Sequence, residues 1–310
     1  MENIKKSKVV VTGGAGFIGT NLVKRLLKEG YAVTVLDNYA AGKKPERFQN
    51  GAENIEGDIR DMDVLMNVCR GAYGIFHEAA LPRVAFSMEH PAETHDVNVN
   101  GTLNVLLAAR DSSVKRVVFA SSSSSYGDLP KDKYLVKEDE VIKQPIAPYA
   151  LHKYIGEHYC RLFALQFGLE TVSLIYFNVY GPYADPEGAY ALVIGKFLKQ
   201  VKEGRPMTIC GDGGYYRDYT YVDDVVEANI LAMTKETVGK GEVINIGNNK
   251  PYSVNEVARL IGGETVTIDP RPGDVRYTCA DITKAKKLLD WQPKVSLEEG
   301  IRKLKEIYLN

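Results

Sequence analysis

Tyr149 and Lys153 stand four residues apart in Tyr149-Ala-Leu-His-Lys153, so on a helix their side chains share one face. A phenol ordinarily titrates near about 10; an ammonium at that spacing, together with a bound cationic ring, favours the phenolate and brings such a base nearer neutrality. The same pair is also a common solvated helix face, so other residues must decide. Ser121 to Ser125 follow the apolar run Arg116 to Ala120. At the carboxyl edge of a parallel sheet, where ligands of such sheets bind, a serine hydroxyl can bridge a substrate oxygen and Tyr149. A flexible linker explains the tract less well, because it abuts a run that reads as a buried strand.

A second constellation could hold a dinucleotide. Val9-Val10-Val11 runs into Thr12-Gly13-Gly14-Ala15-Gly16-Phe17-Ile18-Gly19, and Asn21 to Leu27 then has helical periodicity. The spacing GxxGxxG lets the backbone turn sharply, approach a pyrophosphate and present helix N-terminal N–H groups to its charge. A tight turn alone can demand glycines, but the order of strand, glycines and helix supports the phosphate reading. Asp37 ends the second apolar run, 18 residues beyond Gly19. A carboxylate there accepts hydrogen bonds from both adenosine ribose hydroxyls and repels a 2'-phosphate, which selects NAD over NADP. An N-cap for the next helix is the alternative. Gly57-Asp58-Ile59 closes a third strand; Asp58 can meet the adenine edge, although a surface turn explains it nearly as well.

These residues need a scaffold. Short β-branched runs at Val9–Val11, Val33–Leu36, Gly74–Phe76, Val117–Phe119 and Val172–Tyr176 alternate with amphipathic stretches at Ile18–Lys28, Asp61–Val68, Pro91–Arg110 and Ala147–Phe167. Apolar strands in βαβα order are buried on both faces, which predicts an α/β fold with a doubly wound parallel sheet. After Asn178 a loop begins at Gly181-Pro182, and Gly211-Asp212-Gly213-Gly214 reads as a turn. Asp223–Met233 reads as a helix and Val243–Ile246 as a strand, both able to return to the first sheet. Later come a strand at Thr265–Ile268 and an amphipathic helix at Leu297–Tyr308.

Composition narrows the class. The 310 residues are 45% hydrophobic and 25% charged, the average of folded soluble proteins, which argues against disorder, collagen or coiled coil. Thirty-nine Lys and Arg balance 40 Asp and Glu, so no excess field draws nucleic acid or acidic lipid. Cys69, Cys160, Cys210 and Cys279 form no CxxC pair, which suggests neither a zinc site nor a disulfide framework and fits the reducing cytoplasm. The apolar run at Val9 breaks at Thr12-Gly13-Gly14, so neither a signal peptide nor a membrane-spanning stretch is expected.

Taken together, Thr12 to Gly19, Asp37-Asn38, Asn98-Val-Asn-Gly-Thr102, Ser121-Ser122-Ser123 before Tyr126-Gly127, Tyr149 to Lys153, Tyr176-Phe177-Asn178 and Arg271-Pro-Gly-Asp274 resemble the extended short-chain dehydrogenase/reductase family. Within it the resemblance is closest to the UDP-hexose 4-epimerases, over nearly the whole chain. It implies a Rossmann domain over 1–178, with 219–247 returning to it, and a smaller α/β UDP-sugar-binding domain over 179–218 and 248–310. It implies NAD as cofactor, held by Gly13, Gly16, Phe17, Ile18, Gly19, Asp37, Asn38, Asp58, Ile59, Ala79, Ala80, Asn98, Ser121, Tyr149, Lys153 and Tyr176. Tyr149 is implied as the base, Lys153 as its activator, and Ser122 as the hydroxyl partner. The implied UDP-hexose ligands are Ser122, Ser123, Asn178, Thr208, Arg217, Arg271, Asp274 and Thr278, with no metal. For Arg217 an ordinary surface pair with Asp218 is the competing account.

Dehydratases and decarboxylases of this family carry an acid two or three residues before the tyrosine that matches Tyr126; here Ser123 and Ser124 stand there. Loss of water needs a proton donor and a base, so their absence favours plain oxidation and reduction at one carbon. Thr278, seven after Arg271, matches a position that is small in members accepting N-acetylated sugars, and Ser121 to Asp128 resembles that branch. UDP-GlcNAc/GalNAc interconversion, with UDP-Glc/Gal activity alongside, is therefore expected, although Pro82 replaces a lysine of the UDP-galactose group. The alternatives are a UDP-glucuronate 4-epimerase, with Arg83 facing the acid, and a noncatalytic NAD-binding regulator. The family also implies a homodimer through Pro91–Arg110 and Ala147–Phe167, with Leu103, Leu107, Tyr159 and Phe163 as apolar candidates.

Overall fold

In the computed structural model of the chain, residues 7–129, 135–186, 193–269 and 276–309 are described. Seven strands form the central sheet: β1 (Lys8–Thr12), β2 (Ala32–Asp37), β3 (Glu53–Glu56), β4 (Gly74–His77), β5 (Arg116–Ser122), β6 (Glu170–Tyr176) and β7 (Lys240–Ile246). All pair in parallel, in the order β7-β6-β5-β4-β1-β2-β3. The chain winds outward from β1 to β3, then returns to lay β4 on the other side of β1. That reversal opens a crevice at the carboxyl ends of β1 and β4, where ligands of such sheets sit.

The β-branched runs are continuous because both sheet faces are covered. Val9, Val11, Val35, Phe76, Val118 and Val172 pack with the helices Phe17–Lys28 and Val222–Thr234 on one face. Val10, Leu36, Ile75, Val117 and Phe119 pack on the other, against Met62–Cys69, Gly101–Asp111 and Pro148–Phe167. Neighbouring strand residues thus go to opposite cores, the period of two expected of extended chain.

The expected helices form with small shifts in their ends. Asp61 is the N-cap of Met62–Cys69 and accepts from the Asp63 and Val64 N–H groups. Pro91–Arg110 is helical but not uniform: Pro91–His95 passes through a wider π turn at Asp96–Asn100 into Gly101–Asp111. Val222–Thr234 and β7 do return to the main sheet. A separate apolar core gathers Tyr180, Phe197, Met207, Val257, Ile261 and Leu304 from the later part of the chain. There Thr265–Ile268 pairs in parallel with Met207–Cys210, a partner the sequence reading did not identify.

Candidate active site

The glycine turn is built as its spacing demands. Gly13 has φ +70°, and a Cβ there would lie 2.6 Å from the Ala79 nitrogen, so only glycine lets the turn touch the loop after β4. A Cβ on Gly19 would lie 2.2 Å from the Gly13 carbonyl, so the helix rests directly on the turn. The helix Phe17–Lys28 begins at Gly16 with no side-chain cap and no acidic residue in its first turn. Its leading N–H groups and dipole are therefore offered to an outside anion.

At the end of β2, Asp37 accepts from the Ala15 N–H at 3.0 Å and from the Tyr39 N–H at 2.8 Å. Burial pushes its pKa up while those two bonds pull it down. Each carboxylate oxygen keeps further acceptor capacity. Capless helix, glycine turn and anchored carboxylate fit the pyrophosphate and ribose of NAD.

Other expected cofactor residues are engaged within the protein. Asn38 donates to Asp58 at 2.9 Å, and Arg60 grips the same carboxylate, holding it down to about 2. Ile59 is buried against Gly101. Asn98 closes two bonds with the Leu81 backbone, at 2.8 and 3.1 Å, and so fixes the loop carrying Ala79 and Ala80. The Ser121 hydroxyl donates to Glu157 at 2.5 Å, and Glu157 forms a buried ion pair with Lys143.

Catalytic candidates converge at the carboxyl end of β5. Pro148 starts the helix Pro148–Phe167 after an extended Ala147, and Gly168, at φ +70°, ends it. Tyr149 lies in the first turn of that helix, its N–H bonded to Ser87 Oγ at 3.1 Å and its phenol near enough to Ser122 for that side chain to pull its pKa down. Ser124 Oγ donates to Ser122 Oγ at 2.9 Å, which orients it, and Ser123 follows Ser122 in a short 3₁₀ turn. One turn along the helix, buried Lys153 donates to the Ala120 carbonyl at 2.7 Å, its ammonium 6.0 Å from the Tyr149 ring centroid.

Among the protein's own groups burial raises the Tyr149 phenol most and Glu78 adds to the rise, while the Ser122 side chain pulls it down, which together leave it at about 12. Lys153 gives one of its three donors to the Ala120 carbonyl and is itself pulled down to about 8 by burial. A bound cation would have to supply the missing attraction.

The sequence reading passed over Glu78, between His77 and the expected Ala79. Its carboxylate accepts from the Tyr176 hydroxyl at 2.7 Å, and Asn229 donates to that hydroxyl at 2.7 Å. A signal existed: a lone acid at the end of an apolar strand, on the ligand-binding edge.

A second group forms beside the crevice. Asn178, at φ +31°, donates to the Asp218 carbonyl at 3.0 Å and meets Thr278 Oγ1 at 3.4 Å. The Thr278 N–H donates to the Tyr216 carbonyl, next to Arg217. Asp218 is not a surface partner of Arg217: it is fully buried and accepts from the N–H groups of Asn248, Asn249 and Ala280. Thr208, in the strand Met207–Cys210, is bonded through its hydroxyl and its N–H to Gln200 of the helix Val193–Lys202. Arg271 and Asp274 lie outside the described residues. Of the apolar candidates for association, Phe163 is core, with 2% of its surface exposed.

Parallel sheet, switch-point crevice, glycine turn and Ser–Tyr–Lys cluster together define a dinucleotide-dependent enzyme of the short-chain dehydrogenase/reductase type. Residues 9–247 match the NAD dependent epimerase/dehydratase family, and the chain belongs to it. Among solved structures, a UDP-glucose 4-epimerase of Thermotoga maritima with UDP-glucose is 41% identical, with a TM-score of 0.91 over 97% of this chain and 98% of that one. A UDP-N-acetylglucosamine 4-epimerase of Methanobrevibacter ruminantium, in complex with UDP-N-acetylmuramic acid, is 33% identical, with a TM-score of 0.91 and 98% of each chain covered. A UDP-glucuronate 4-epimerase of Thermodesulfobacterium geofontis is 36% identical over 95% of this chain and 94% of its own length. Among the described residues no helix is long and apolar enough to cross a membrane.

Proposed function

We propose that this chain is an NAD-dependent 4-epimerase of UDP-hexoses, acting on UDP-GlcNAc/UDP-GalNAc and also on UDP-Glc/UDP-Gal. The observation that carries the reading is the convergence of Ser122, at the end of β5, with Tyr149 and Lys153 on one face of the helix Pro148–Phe167, the Lys153 ammonium bonded to the Ala120 carbonyl at 2.7 Å. NAD, held by the glycine turn and Asp37, supplies the hydride acceptor and donor at the sugar C4. Tyr149 takes the proton of the 4-hydroxyl and later returns it, Ser122 orients that hydroxyl, and Lys153 adds positive charge beside the developing phenolate. Between the two proton transfers the sugar turns over, so its other face receives the hydrogen. No second substrate is consumed.

Asn178, Arg217 and Thr278, with Arg271 and Asp274, are the proposed UDP-sugar ligands. Residues 1–178 with 219–247 are taken as the NAD-binding domain, and 179–218 with 248–310 as the UDP-sugar domain. The half-buried Leu103 and Leu107, with the exposed Leu151, Leu162 and Leu165 of helix Pro148–Phe167, support a homodimer across a two-fold axis in a cytoplasmic enzyme.

The purified protein, with no added cofactor, is incubated separately with UDP-GlcNAc, UDP-Glc and UDP-GlcA, and the 4-epimers are resolved. Conversion of the first two is the expected result. Conversion of UDP-GlcA alone would instead favour a uronate epimerase, and conversion of none, even with NAD supplied, would favour a noncatalytic NAD-binding protein.

A further inference from the structure

We propose that Glu78 is a positioning residue that acts through its charge on the Tyr149–Lys153 couple, its carboxylate fixed in place by the Tyr176 hydroxyl with Asn229 behind it. The inference deepens the function proposed above and rests on its assignment of Tyr149 as the base. Glu78 follows β4 directly, and its N–H bonds the Thr12 carbonyl of β1, so its backbone is pinned at the switch-point crevice. The Tyr176 hydroxyl reaches it from the end of β6 at 2.7 Å, and Asn229, buried on the helix Val222–Thr234, fixes that hydroxyl from behind. The side chain is densely surrounded by protein yet keeps part of its surface open, as a group on the floor of a cleft does.

The charged and titratable groups around it are few. The β4–β5 register, which sets His77 opposite Phe119, brings Glu78 beside Ala120, whose carbonyl holds Lys153 at 2.7 Å; the Tyr149 ring centroid is 6.0 Å from the Lys153 ammonium, and Tyr176 faces Glu78 from β6. His77, its chain neighbour, points away into bonds with Thr12 and Thr102 and stays neutral. Glu157, the other acid acting on Lys153, is already paired with Lys143. Glu78 is thus the one acid among these with no cation in contact. Burial pushes it up to about 7, against the pull of the Tyr176 bond and Lys153, so its charge changes near neutrality. As an anion it holds protons on both partners, raising the pKa of Tyr149 and of Lys153.

Removing that charge without changing shape tests the idea. Glu78→Gln keeps an acceptor for Tyr176, and Glu78→Met, of similar length, serves if the first variant does not fold. Two measurements are made on wild type and variant. One is the pH profile of kcat for UDP-sugar epimerisation. The other is the phenolate absorbance of Tyr149, obtained without substrate as the difference between each protein and its Tyr149→Phe counterpart. Both the acid limb and the phenolate titration are expected to move down by roughly one pH unit, with KM little changed. An unmoved phenolate overturns the proposal, whether or not the kcat profile moves. If no UDP-sugar is turned over by wild type, the reading as an epimerase fails, while the substrate-free titration still decides the role of Glu78.

Discussion

Lys153 donates its proton to the carbonyl of Ala120 at 2.7 Å, not to Tyr149. Four residues later on the same helix, Glu157 accepts from Ser121, the next residue of β5. Positions i and i+4 of the helix therefore grip consecutive residues at the end of the strand, which leaves Ser122 opposite the Tyr149 hydroxyl. The couple is held from behind, and its reactive side faces the crevice.

Replacing Tyr149 by Phe keeps the ring in its packing site and removes the proton acceptor. We expect kcat for the best UDP-sugar to fall by roughly 10²- to 10⁴-fold, the usual worth of a positioned base, with bound NAD retained. Steady-state kinetics and the cofactor content of the purified variant check this; near-normal turnover excludes Tyr149 as the base.

Asp37 is anchored by two backbone N–H groups at the edge of the glycine turn. Asp37→Ala should weaken NAD by about tenfold or more, as expected for losing hydrogen bonds to a charged group, and leave UDP-sugar affinity nearly unchanged. Calorimetric titration with each ligand separates the two; equal loss of both points to damage of the fold.

Thr278 meets Asn178 at 3.4 Å, which puts a small side chain beside a proposed UDP-sugar ligand. If the hexose lies there, Thr278→Tyr fills the room a 2-acetamido group needs, and a packed site cannot relieve that clash cheaply. The kcat/KM for UDP-GlcNAc should fall by roughly 10- to 100-fold, with UDP-Glc changed much less. No loss for either sugar removes Thr278 from the sugar pocket.

His77 bridges Thr12 and Thr102 inside the sheet, and burial pulls its pKa down to about 3. The folded state refuses a proton that the unfolded chain accepts below about 6.5, so the stability is present above that pH and is lost as pH falls toward 3. Between pH 6.5 and 5 the loss is roughly 2 kcal/mol. Glu78 and Asp218, both pushed up to about 7, act oppositely, costing stability as pH rises from about 4 to 7. Thermal unfolding across this range should show a shallower acid decline for His77→Gln than for wild type; equal slopes would remove His77 as the cause.

Much was determined by the sequence itself, because the signals are local. Alternating residues such as Val9, Val10 and Val11 can satisfy two cores only in a sheet covered on both faces, and Gly13 and Gly19 stand where any Cβ would strike backbone. The spacing of Tyr149 and Lys153 places them on adjacent turns of one helix wherever that helix lies. What those side chains touch was decided by tertiary structure, since it depends on elements far apart in the chain. Lys153 is turned to Ala120, Ser121 to Glu157 and Asn98 to Leu81, although each could have been read as facing a ligand. Asp218 looked like the surface partner of Arg217, yet it sits buried among backbone N–H groups contributed 30 to 62 residues away. Glu78 carried no periodic or motif signal of its own; only the packing of β4, β6 and the helix Val222–Thr234 brings Tyr176 and Asn229 to it, because a buried acid is held by whatever donors the fold delivers.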